Sequence, residues 1–295
     1  MPDPNPHGLL VLDKPVGLTS RDAVDRALRW FPRKTRVGHT GTLDPLASGV
    51  LVLCVGHATR LTEYVQDMGK TYVADVVLGA RSATDDAEGP ITPVAVTHPP
   101  DRATIDARLS EFVGMVEQAP PAFSAAKVTG QRAYDLARRG EAVDLAPRTV
   151  RIDRIDVVDF NYPRLKLEVR CGKGTYIRSL ARDLGNRLGC GAYLDGLRRT
   201  RVGPFTPDDA VPLDTDAEAA CSRLLPPAAA VAALPRVVLP PEAVARLKHG
   251  QAVTASEAVP AGTDVAVFDS DGVLVGIAAA DRSGRTLRPS KVFPA

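Results

Sequence analysis

The chain has 295 residues, of which 44% are hydrophobic and 24% are charged, and its formal net charge is +2. This length suits one large domain with an appendage or two domains, and the composition excludes wholesale disorder. No apolar run approaches the roughly 18 residues of a membrane span, and the N-terminus lacks the pattern of a signal peptide, so we expect neither feature.

The first part of the chain alternates apolar strands with helices. An apolar run at 8–13 predicts a buried strand. Thr19 or Ser20 can cap the helix that follows, which continues to about Trp30. The remaining elements predicted in this part are a loop at 33–47, a strand at 49–55, a helix at 59–66, a strand at 71–78, a loop at 80–100 and a helix at 105–112.

The second part contains a strand pair, one long helix and a β-rich end. Apolar residues recur at helical spacing within 175–188 and make this the clearest helix of the chain. Asp271-Gly272 is a hairpin turn signal inside the alternating stretch 264–280. The other elements predicted here are strands at 148–160 and 165–171, a linker with some helix at 204–241, and a final strand at 287–292. This order predicts an α+β enzyme core followed by a small β-rich domain.

Basic residues cluster in one part of this nearly neutral chain. Between positions 164 and 201, ten basic residues face only three acidic ones, whereas acids outnumber arginines between 204 and 247. A local positive patch on such a protein predicts a polyanionic partner. A solvated helix face is the alternative, and the charge count does not choose between the two.

The four cysteines are scattered, and none of them forms a CxxC pair. This spacing fits neither a zinc site nor a disulfide framework. We therefore expect four reduced, mostly buried thiols in a cytoplasmic protein that holds no metal.

Two glycine-containing fragments invite a nucleotide-binding interpretation, and both fail. The fragments at 69–71 and 172–175 lack the order and spacing of a P-loop, and the chain contains no GxGxxG. An ATPase, a GTPase or a dinucleotide-dependent enzyme is therefore disfavoured.

The loop at 37–49, VGHTGTLDPLASG, is the most unusual stretch of the chain. Its glycines and proline fix a shaped loop before a buried strand, and it displays His39, three hydroxyls and Asp44. An aspartate before proline usually forms an Asx-turn, and a lone histidine more often makes structural hydrogen bonds. No second carboxylate is near in the sequence, so no glycosidase-type pair is evident. Spacing alone leaves the role of Asp44 open.

The same loop resembles the signature of the TruB-type tRNA pseudouridine synthases, in which an HTGxLDP segment presents the catalytic aspartate. Further segments resemble that family's motifs in order and spacing, and together they cover residues 8 to about 203. The C-terminal tail resembles the family's small β-barrel appendage only loosely. The further matching segments are LDKPVGLTS from residue 12, GKTY from 69, PPAFSAAK from 120, KGTYIR from 173 with DLG from 183, and LRRT from 197.

The resemblance implies a fold and a set of site residues. The implied fold is the α+β pseudouridine synthase fold, a mixed, largely antiparallel sheet flanked by helices, with a small C-terminal β-barrel-like domain of the PUA type. Asp44 is implied as the catalytic residue; Arg178 can pair with it and keep it ionised, and Tyr72 offers a ring to a flipped base. Substrate binding is implied for His39, Tyr72, Tyr176, Leu197, Lys14, Lys173, Arg198 and Arg199. By the charge argument, phosphate contacts are expected for Lys173, Arg198, Arg199 and Arg201.

The implied chemistry needs no cofactor. A uridine must leave its stack, after which N1–C1′ breaks, the uracil turns and C5–C1′ forms, with no change of oxidation state. Asp44 can attack C1′ or remove the 2′ proton, and the sequence leaves both routes open. The proton on C5 can leave to Tyr72 or to a water.

These considerations predict a synthase that modifies uridine 55 in the T loop of tRNA. We expect a cytoplasmic monomer that needs no protein partner and no membrane. Residues 1–233 are predicted to form the catalytic domain, with an RNA-gripping insert at about 118–148, and residues 234–295 a small RNA-binding domain. A guide-RNA-dependent, dyskerin-like synthase is an alternative that the short chain and the insert disfavour. A catalytically idle RNA-folding chaperone is another, disfavoured because the catalytic residues are retained.

Overall fold

The chain forms a large sheet with helices on one face and a smaller C-terminal sheet against the other. The computed structural model describes residues 6–124, 127–128, 131–132, 139 and 145–293. The strands are β1 (Gly8–Lys14), β2 (Val37–His39), β3 (Ala47–Val55), β4 (Lys70–Leu78), β5 (Ala80–Ser82), β6 (Ile91–Pro93), β7 (Gly114–Gln118), β8 (Lys127–Val128), β9 (Gln131–Arg132), β10 (Arg148–Asn161), β11 (Arg164–Cys171), β12 (Ala192–Val202), β13 (Arg236–Val238), β14 (Val253–Thr254), β15 (Asp264–Phe268), β16 (Leu274–Ala280) and β17 (Thr286–Val292). The α-helices are α1 (Ser20–Ala27), α2 (Thr62–Asp67), α3 (Arg102–Ser110), α4 (Ile177–Arg187), α5 (Ala217–Ser222) and α6 (Pro241–Lys248).

The large sheet has eight strands in the order β1-β3-β12-β4-β11-β10-β7, with β2 beside β3. Its neighbouring strands are antiparallel except β3 and β12, which pair in parallel. The expected mixed, largely antiparallel sheet is therefore confirmed. The predicted strand pair after residue 148 is also confirmed as β10 and β11, and the predicted long helix as α4.

Burial patterns along the strands follow the two layers that the sheet separates. In β4, alternate side chains are buried from Lys70 to Leu78, because they face α1, α3 and α4 while the intervening ones are half-exposed. In β3 nearly every side chain is buried. One face of β3 meets the helical layer, and the other meets residues of the C-terminal sheet, including Phe268 and Ile277.

Several elements differ from the sequence predictions. The central strand β12 was not predicted, because two adjacent arginines interrupt its apolar pattern, and β7 was not predicted either. The loops predicted at 33–47 and 80–100 contain the short strands β2, β5 and β6. The segment predicted as a linker has the expected short helices, yet it also pairs with the edge strand β1, through Leu225 with Leu9 and Val211 with Val11. About half of the insert predicted at about 118–148 lies outside the described residues.

The C-terminal unit is a five-stranded sheet in the order β13-β15-β16-β17-β14, with α6 packed against it. Its strands include the predicted hairpin and the predicted final strand. Polar contacts add to the shared apolar core: the Tyr64 hydroxyl donates to Asp264 at 2.8 Å, and Lys291 pairs with Glu63. The small sheet is therefore joined to the large one by a packed interface.

No helix in the described part of the chain is both long enough and apolar enough to cross a membrane.

Candidate active site

A cavity of about 540 Å³ opens where segments distant in the sequence meet. Asp44, from the loop between β2 and β3, lines it together with Tyr72 from β4 and Arg178 from α4. Ser124 and Arg148, which lie near the two ends of the predicted insert, line it as well. The fold thus brings the three residues predicted for catalysis to one cavity.

Buried hydrogen bonds fix the loop that carries Asp44. Ser20, at the start of α1, accepts a bond from the N–H of Leu43 at 2.7 Å and donates one to its carbonyl at 3.0 Å. Thr40 donates to the Val52 carbonyl through its N–H at 3.0 Å and its hydroxyl at 3.1 Å. The loop is tied to a helix and to a strand, so the Asp44 side chain, which is 37% exposed, projects from a fixed backbone.

Arg178 lies between two carboxylates. Its Nη2 is 3.0 Å from Oδ2 of Asp44, and its Nη1 is 3.0 Å from Oδ2 of Asp86. The guanidinium also donates to the carbonyls of Phe123 at 2.9 Å and Thr84 at 3.2 Å. Its side chain is only 7% exposed, so it is a buried cation whose two terminal nitrogens each contact one carboxylate and one carbonyl. The predicted pairing of Arg178 with Asp44 is present.

Asp86 is the member of this group that sequence reasoning missed. Its side chain is 2% exposed, and its Oδ1 accepts bonds from the Thr84 hydroxyl at 2.5 Å and the Glu88 N–H at 3.1 Å. The neighbouring Asp85 pairs in the same way with Arg182, at 2.9 Å. The sequence did contain a signal, because Asp85 and Asp86 are adjacent acids and Arg178 and Arg182 are spaced i, i+4 on one predicted helix. The missing fact was the long-range contact, which the sequence does not reveal.

Tyr72 stands in the wall of the cavity beside Arg199. Burial raises the pKa of the Tyr72 hydroxyl, while the positive charge of the nearby Arg199 guanidinium acts in the opposite direction. The hydroxyl is therefore protonated at neutral pH, with a guanidinium near it.

Arg199 is buried in the sheet at the lining of the cavity. The residue is 2% exposed, and its guanidinium donates to the carbonyls of Val50 at 2.7 Å and Gly41 at 3.1 Å. The strand backbone around it is tight: Gly49 has φ +101°, and a Cβ there would lie 2.2 Å from the Arg199 carbonyl oxygen. Arg199 thus joins β3 to the Asp44 loop and also lines the cavity, and its expected contact with phosphate stays a prediction.

Lys14 and His39 lie behind that loop, outside the cavity lining. Lys14 is fully buried; its ammonium donates to the carbonyls of Leu18 at 2.6 Å and Pro15 at 2.9 Å, and burial lowers its pKa to about 8. His39 is half-buried, and burial lowers its pKa, so the imidazole is neutral at pH 7. Neither side chain lines the cavity, and substrate binding by Lys14 and His39 stays a prediction.

The other predicted binding residues divide into two groups. Tyr176, Leu197 and Lys173 line the cavity, although Lys173 also pairs with Asp67 at 2.5 Å. Arg198 lies outside the lining and holds Asp13 by two bonds, at 3.0 and 2.7 Å. Arg201 is exposed.

The basic patch predicted at 164–201 is largely neutralised. Six of its basic residues pair with carboxylates from outside the stretch, which the linear count could not include, and the three acids inside the stretch pair as well. A free surface cation is therefore uncommon among them. The ion pairs are Arg164–Asp195, Lys166–Asp75, Arg170–Glu168, Lys173–Asp67, Arg178–Asp44 and –Asp86, Arg182–Asp85 and –Asp183, Arg187–Glu111, and Arg198–Asp13.

A second cluster of positive charge was not predicted. It surrounds a cavity of about 370 Å³ at the far end of β3, and no acidic side chain lines that cavity. The described part of the chain offers no ion-pair partner to the four basic residues of the segment 29–36. We call this surface the cationic corner; its residues are Arg29, Arg33, Lys34, Arg36 and Arg60, with His7 and His57.

The cysteines and the metal-ligating residue types add no further centre. All four cysteines are free, and burial raises the pKa of Cys54 and of Cys171 to about 11, so both are protonated thiols at neutral pH. Within the described ranges, no three His, Cys, Asp or Glu side chains are grouped so that they could hold a metal ion. The chemistry that the cavity offers is that of a carboxylate, a phenol and buried cations.

Solved structures share this architecture. The chain resembles the protein of a structure described as an H/ACA RNP bound to a substrate RNA containing 2′-deoxyuridine, with a TM-score of 0.75 and 26% identity over 98% of this chain and 85% of that one. It also resembles a Cbf5-Nop10-Gar1 complex, with a TM-score of 0.76 and 28% identity over 97% and 85% of the two chains. The protein has the pseudouridine synthase fold.

Family models cover the chain from residue 29 onward. Residues 29–177 match the TruB family pseudouridylate synthase N-terminal domain, 178–245 the tRNA pseudouridylate synthase B C-terminal domain, and 235–293 the C-terminal domain of pseudouridine synthase II TruB. Curated relatives named tRNA pseudouridine synthase B include those of Xanthomonas campestris pv. campestris (strain B100), 42% identical, and Ralstonia nicotianae, 44% identical. Each alignment covers 97% of this chain and 94% of the relative. The chain belongs to the TruB family of pseudouridylate synthases.

Proposed function

We propose that this protein isomerises uridine 55 in the T loop of tRNA to pseudouridine. One observation carries the proposal: the half-exposed Asp44 carboxylate faces the cavity near the Tyr72 ring and is held by the buried Arg178. Family membership supports the reaction class, and the name of the relatives at 42–44% identity supports tRNA as the substrate.

The first step is extrusion of the uridine from its stack. Unstacking costs a few kcal/mol, and stacking on an aromatic side chain returns about 1–3 kcal/mol per base. Tyr72 and Tyr176 supply aromatic rings in the lining of the cavity. The cavity, about 540 Å³, is within the range of roughly 300–1,000 Å³ that small-molecule sites occupy, so it can take one nucleotide.

Asp44 then acts on the sugar. When the N1–C1′ bond breaks, its electron pair leaves with the uracil, and C1′ becomes electron-poor. The carboxylate either attacks C1′ to form an ester or removes the 2′ proton to form a glycal. Both routes need an ionised carboxylate at a fixed position. Arg178 supplies the position, and Asp86 balances part of its charge, so that Asp44 is not its only counter-ion.

The second half of the reaction joins C5 to C1′ and releases the C5 proton. The acceptor is Tyr72 or a water molecule. A phenol accepts a proton only after it has lost its own, and burial makes that loss harder by raising the pKa of Tyr72. The positive charge of the nearby Arg199 acts in the opposite direction, which favours a part for the Tyr72 oxygen.

Two surfaces suit a folded RNA arm. The two ends of the predicted insert contribute Ser124 and Arg148 to the cavity lining, which supports an insert that grips RNA above the cavity. The cationic corner lies beyond the other end of β3; nine residues of strand extend over roughly 27 Å at about 3.3 Å per residue. An RNA that contacts both surfaces is longer than a single flipped nucleotide, as the arm of a tRNA is.

We further propose that the protein is a cytoplasmic monomer that acts alone, with residues 1–233 as the catalytic domain and 234–295 as a small RNA-binding domain. The rival is a guide-RNA-dependent enzyme, since the solved structures above are multi-component assemblies. Sequence identity favours an enzyme that acts alone. This chain is 42–44% identical to the two tRNA pseudouridine synthases B and 26–28% identical to the proteins of those assemblies.

Pseudouridine mapping tests the proposal. The purified protein is incubated alone with an unmodified tRNA transcript, and every position is then mapped. The expected result is a single pseudouridine at position 55 without added protein, guide RNA or cofactor. Modification at another position contradicts the substrate assignment. A requirement for a guide RNA favours the dyskerin-like alternative, and tRNA binding without modification favours the chaperone.

A further inference from the structure

One buried amide outside the cavity lining holds the backbone next to the catalytic ion pair. Gln118, the last residue of β7, is 4% exposed. Its Nε2 donates to the carbonyl of Tyr176 at 3.1 Å, and its Oε1 accepts from the N–H of Tyr176 at 2.8 Å. One side chain thus satisfies both polar groups of a single residue. A carboxamide suits this task because it carries a donor and an acceptor side by side without a charge.

The clamped residue stands directly before α4. Tyr176 is the N-cap of this helix, and its own side chain makes no capping hydrogen bond. Its ring lines the cavity, and Arg178, which pairs with Asp44, follows two residues later. The orientation of the Tyr176 peptide therefore sets how the first turn of α4 meets the cavity.

Neighbouring bonds extend the same junction. The Ser179 hydroxyl and Nη2 of Arg182 donate to the Ala119 carbonyl, at 2.8 and 2.9 Å. Nη2 of Arg178 donates to the carbonyl of Phe123 at 2.9 Å. The segment from Gln118 to Phe123 thus runs along the start of α4 and offers acceptors to three of its side chains. Of the residues in this junction, Gln118 alone fixes the helix through its backbone at the N-cap.

We propose that Gln118 is a positioning residue for the uridine isomerisation, and this inference rests on the function proposed above. Its amide fixes the Tyr176 peptide, and through it the Tyr176 ring and the approach of the Arg178 guanidinium to Asp44. Gln118 does not line the cavity, so it acts on the reaction through these residues. Misplacement of a catalytic group by about 1 Å can slow a reaction roughly 100-fold, so a small rotation at the N-cap is enough to matter.

Gln118→Glu separates positioning from simple stability. The new carboxylate can still accept from the Tyr176 N–H, but its second oxygen faces the Tyr176 carbonyl, so two acceptors oppose each other. A buried carboxyl group has a raised pKa, and once protonated it donates to that carbonyl as the amide did. The variant is therefore expected to regain activity relative to wild type as the pH falls. Gln118→Met has similar length and no polar group, so it should be slow at every pH.

The experiment measures single-turnover pseudouridine formation on tRNA from about pH 6 to about pH 8.5, a span that covers the raised pKa expected for a buried carboxyl group. Asn161→Asp, an amide-to-acid substitution at an exposed position at the end of β10 that lies away from the cavity, is the matched control. At the alkaline end, Gln118→Glu should be roughly 10- to 100-fold slower than wild type, with tRNA affinity changed less than about threefold. At about pH 6, the ratio of the Gln118→Glu rate to the wild-type rate should approach one. The control variant should match the wild-type rate at every pH.

The outcomes are distinguishable from failure of the proposed function. If the wild-type protein makes pseudouridine but the Gln118→Glu ratio does not change with pH, the positioning role is wrong. A wild-type rate in Gln118→Met also overturns the positioning role. This second test still applies if Gln118→Glu does not fold. If the wild-type protein makes no pseudouridine, the proposed function itself fails.

Discussion

The buried partner of Arg178 provides a sharp test of the site geometry. Asp86→Asn keeps the size of the side chain and an oxygen that can accept from Thr84, but it removes one of the two negative charges around the guanidinium. Arg178 then has Asp44 as its single carboxylate partner at 3.0 Å. We expect a loss of both stability and rate, for different reasons.

The stability loss follows from burial. Removing one partner of a buried ion pair costs about 3–5 kcal/mol, because the remaining charge stays buried and unpaired. Here Asp44 and two carbonyl groups still contact Arg178, so we expect a lower value, about 2–3 kcal/mol in the free energy of unfolding. The rate loss follows from geometry: without Asp86 to hold it, a shift of the guanidinium by about 1 Å should slow single-turnover isomerisation by up to roughly 100-fold.

Asp85→Asn is the matched control. Asp85 neighbours Asp86 and pairs with Arg182 on the same helix, but both side chains are more exposed, at 16% and 25%. We expect this variant to lose about 1 kcal/mol and less than about threefold in rate, since a better-solvated pair contributes less. Urea unfolding and single-turnover product formation are measured on both variants.

The double variant Asp86→Asn with Arg178→Met divides the two effects. Removing the buried cation also removes the unpaired charge, so part of the unfolding free energy should return while activity stays low. If no unfolding free energy returns in the double variant, Asp86 stabilises its own loop rather than Arg178. A wild-type rate in Asp86→Asn alone would refute the view that the two carboxylates together position Arg178.

Two further predictions concern RNA binding and the second half of the reaction. Arg33→Gln and Arg36→Gln, in the cationic corner, should each lower the slope of log affinity against log salt by about one or less, whereas Lys173→Gln should lower it less because Lys173 is paired with Asp67. Equal slopes in wild type and both arginine variants would show that the RNA lies elsewhere. Tyr72→Phe keeps the ring for stacking, so it should still cleave N1–C1′ but release tritium from 5-tritiated uridine slowly. Tritium release at the wild-type rate would leave Tyr72 with a stacking role only.

The local features of the fold were largely predictable. The strand pair β10–β11 and the helix α4 have strong periodicity over many residues, and the structure contains them close to the predicted bounds. The strand β12 escaped prediction because its arginines break the apolar pattern. Arg199 can be tolerated in the middle of the sheet since its guanidinium bonds to the carbonyls of Val50 and Gly41. Such compensation depends on the fold and is invisible in the sequence.

The site was predictable only in part, for a similar reason. Motif resemblance pointed to Asp44, Tyr72 and Arg178, which the fold brings to one cavity. Asp86 was missed because its partner lies 92 positions away along the chain. The linear charge count failed most clearly. It selected a stretch whose cations are paired across the fold, and it overlooked the cationic corner, which is assembled from three separate segments of the chain.

The carboxylate of Asp44 is the group on which the proposed chemistry depends most directly. The decisive measurement is single-turnover pseudouridine formation at position 55 by Asp44→Asn, compared with wild type and with Asp13→Asn. Asp13 is an apt control because its side chain is 36% exposed and pairs with an arginine, as Asp44 is 37% exposed and pairs with one. We expect no product from Asp44→Asn, tRNA affinity within about tenfold of wild type, and turnover retained in Asp13→Asn. Product from Asp44→Asn above a trace would contradict the assignment of the glycosidic chemistry to this residue.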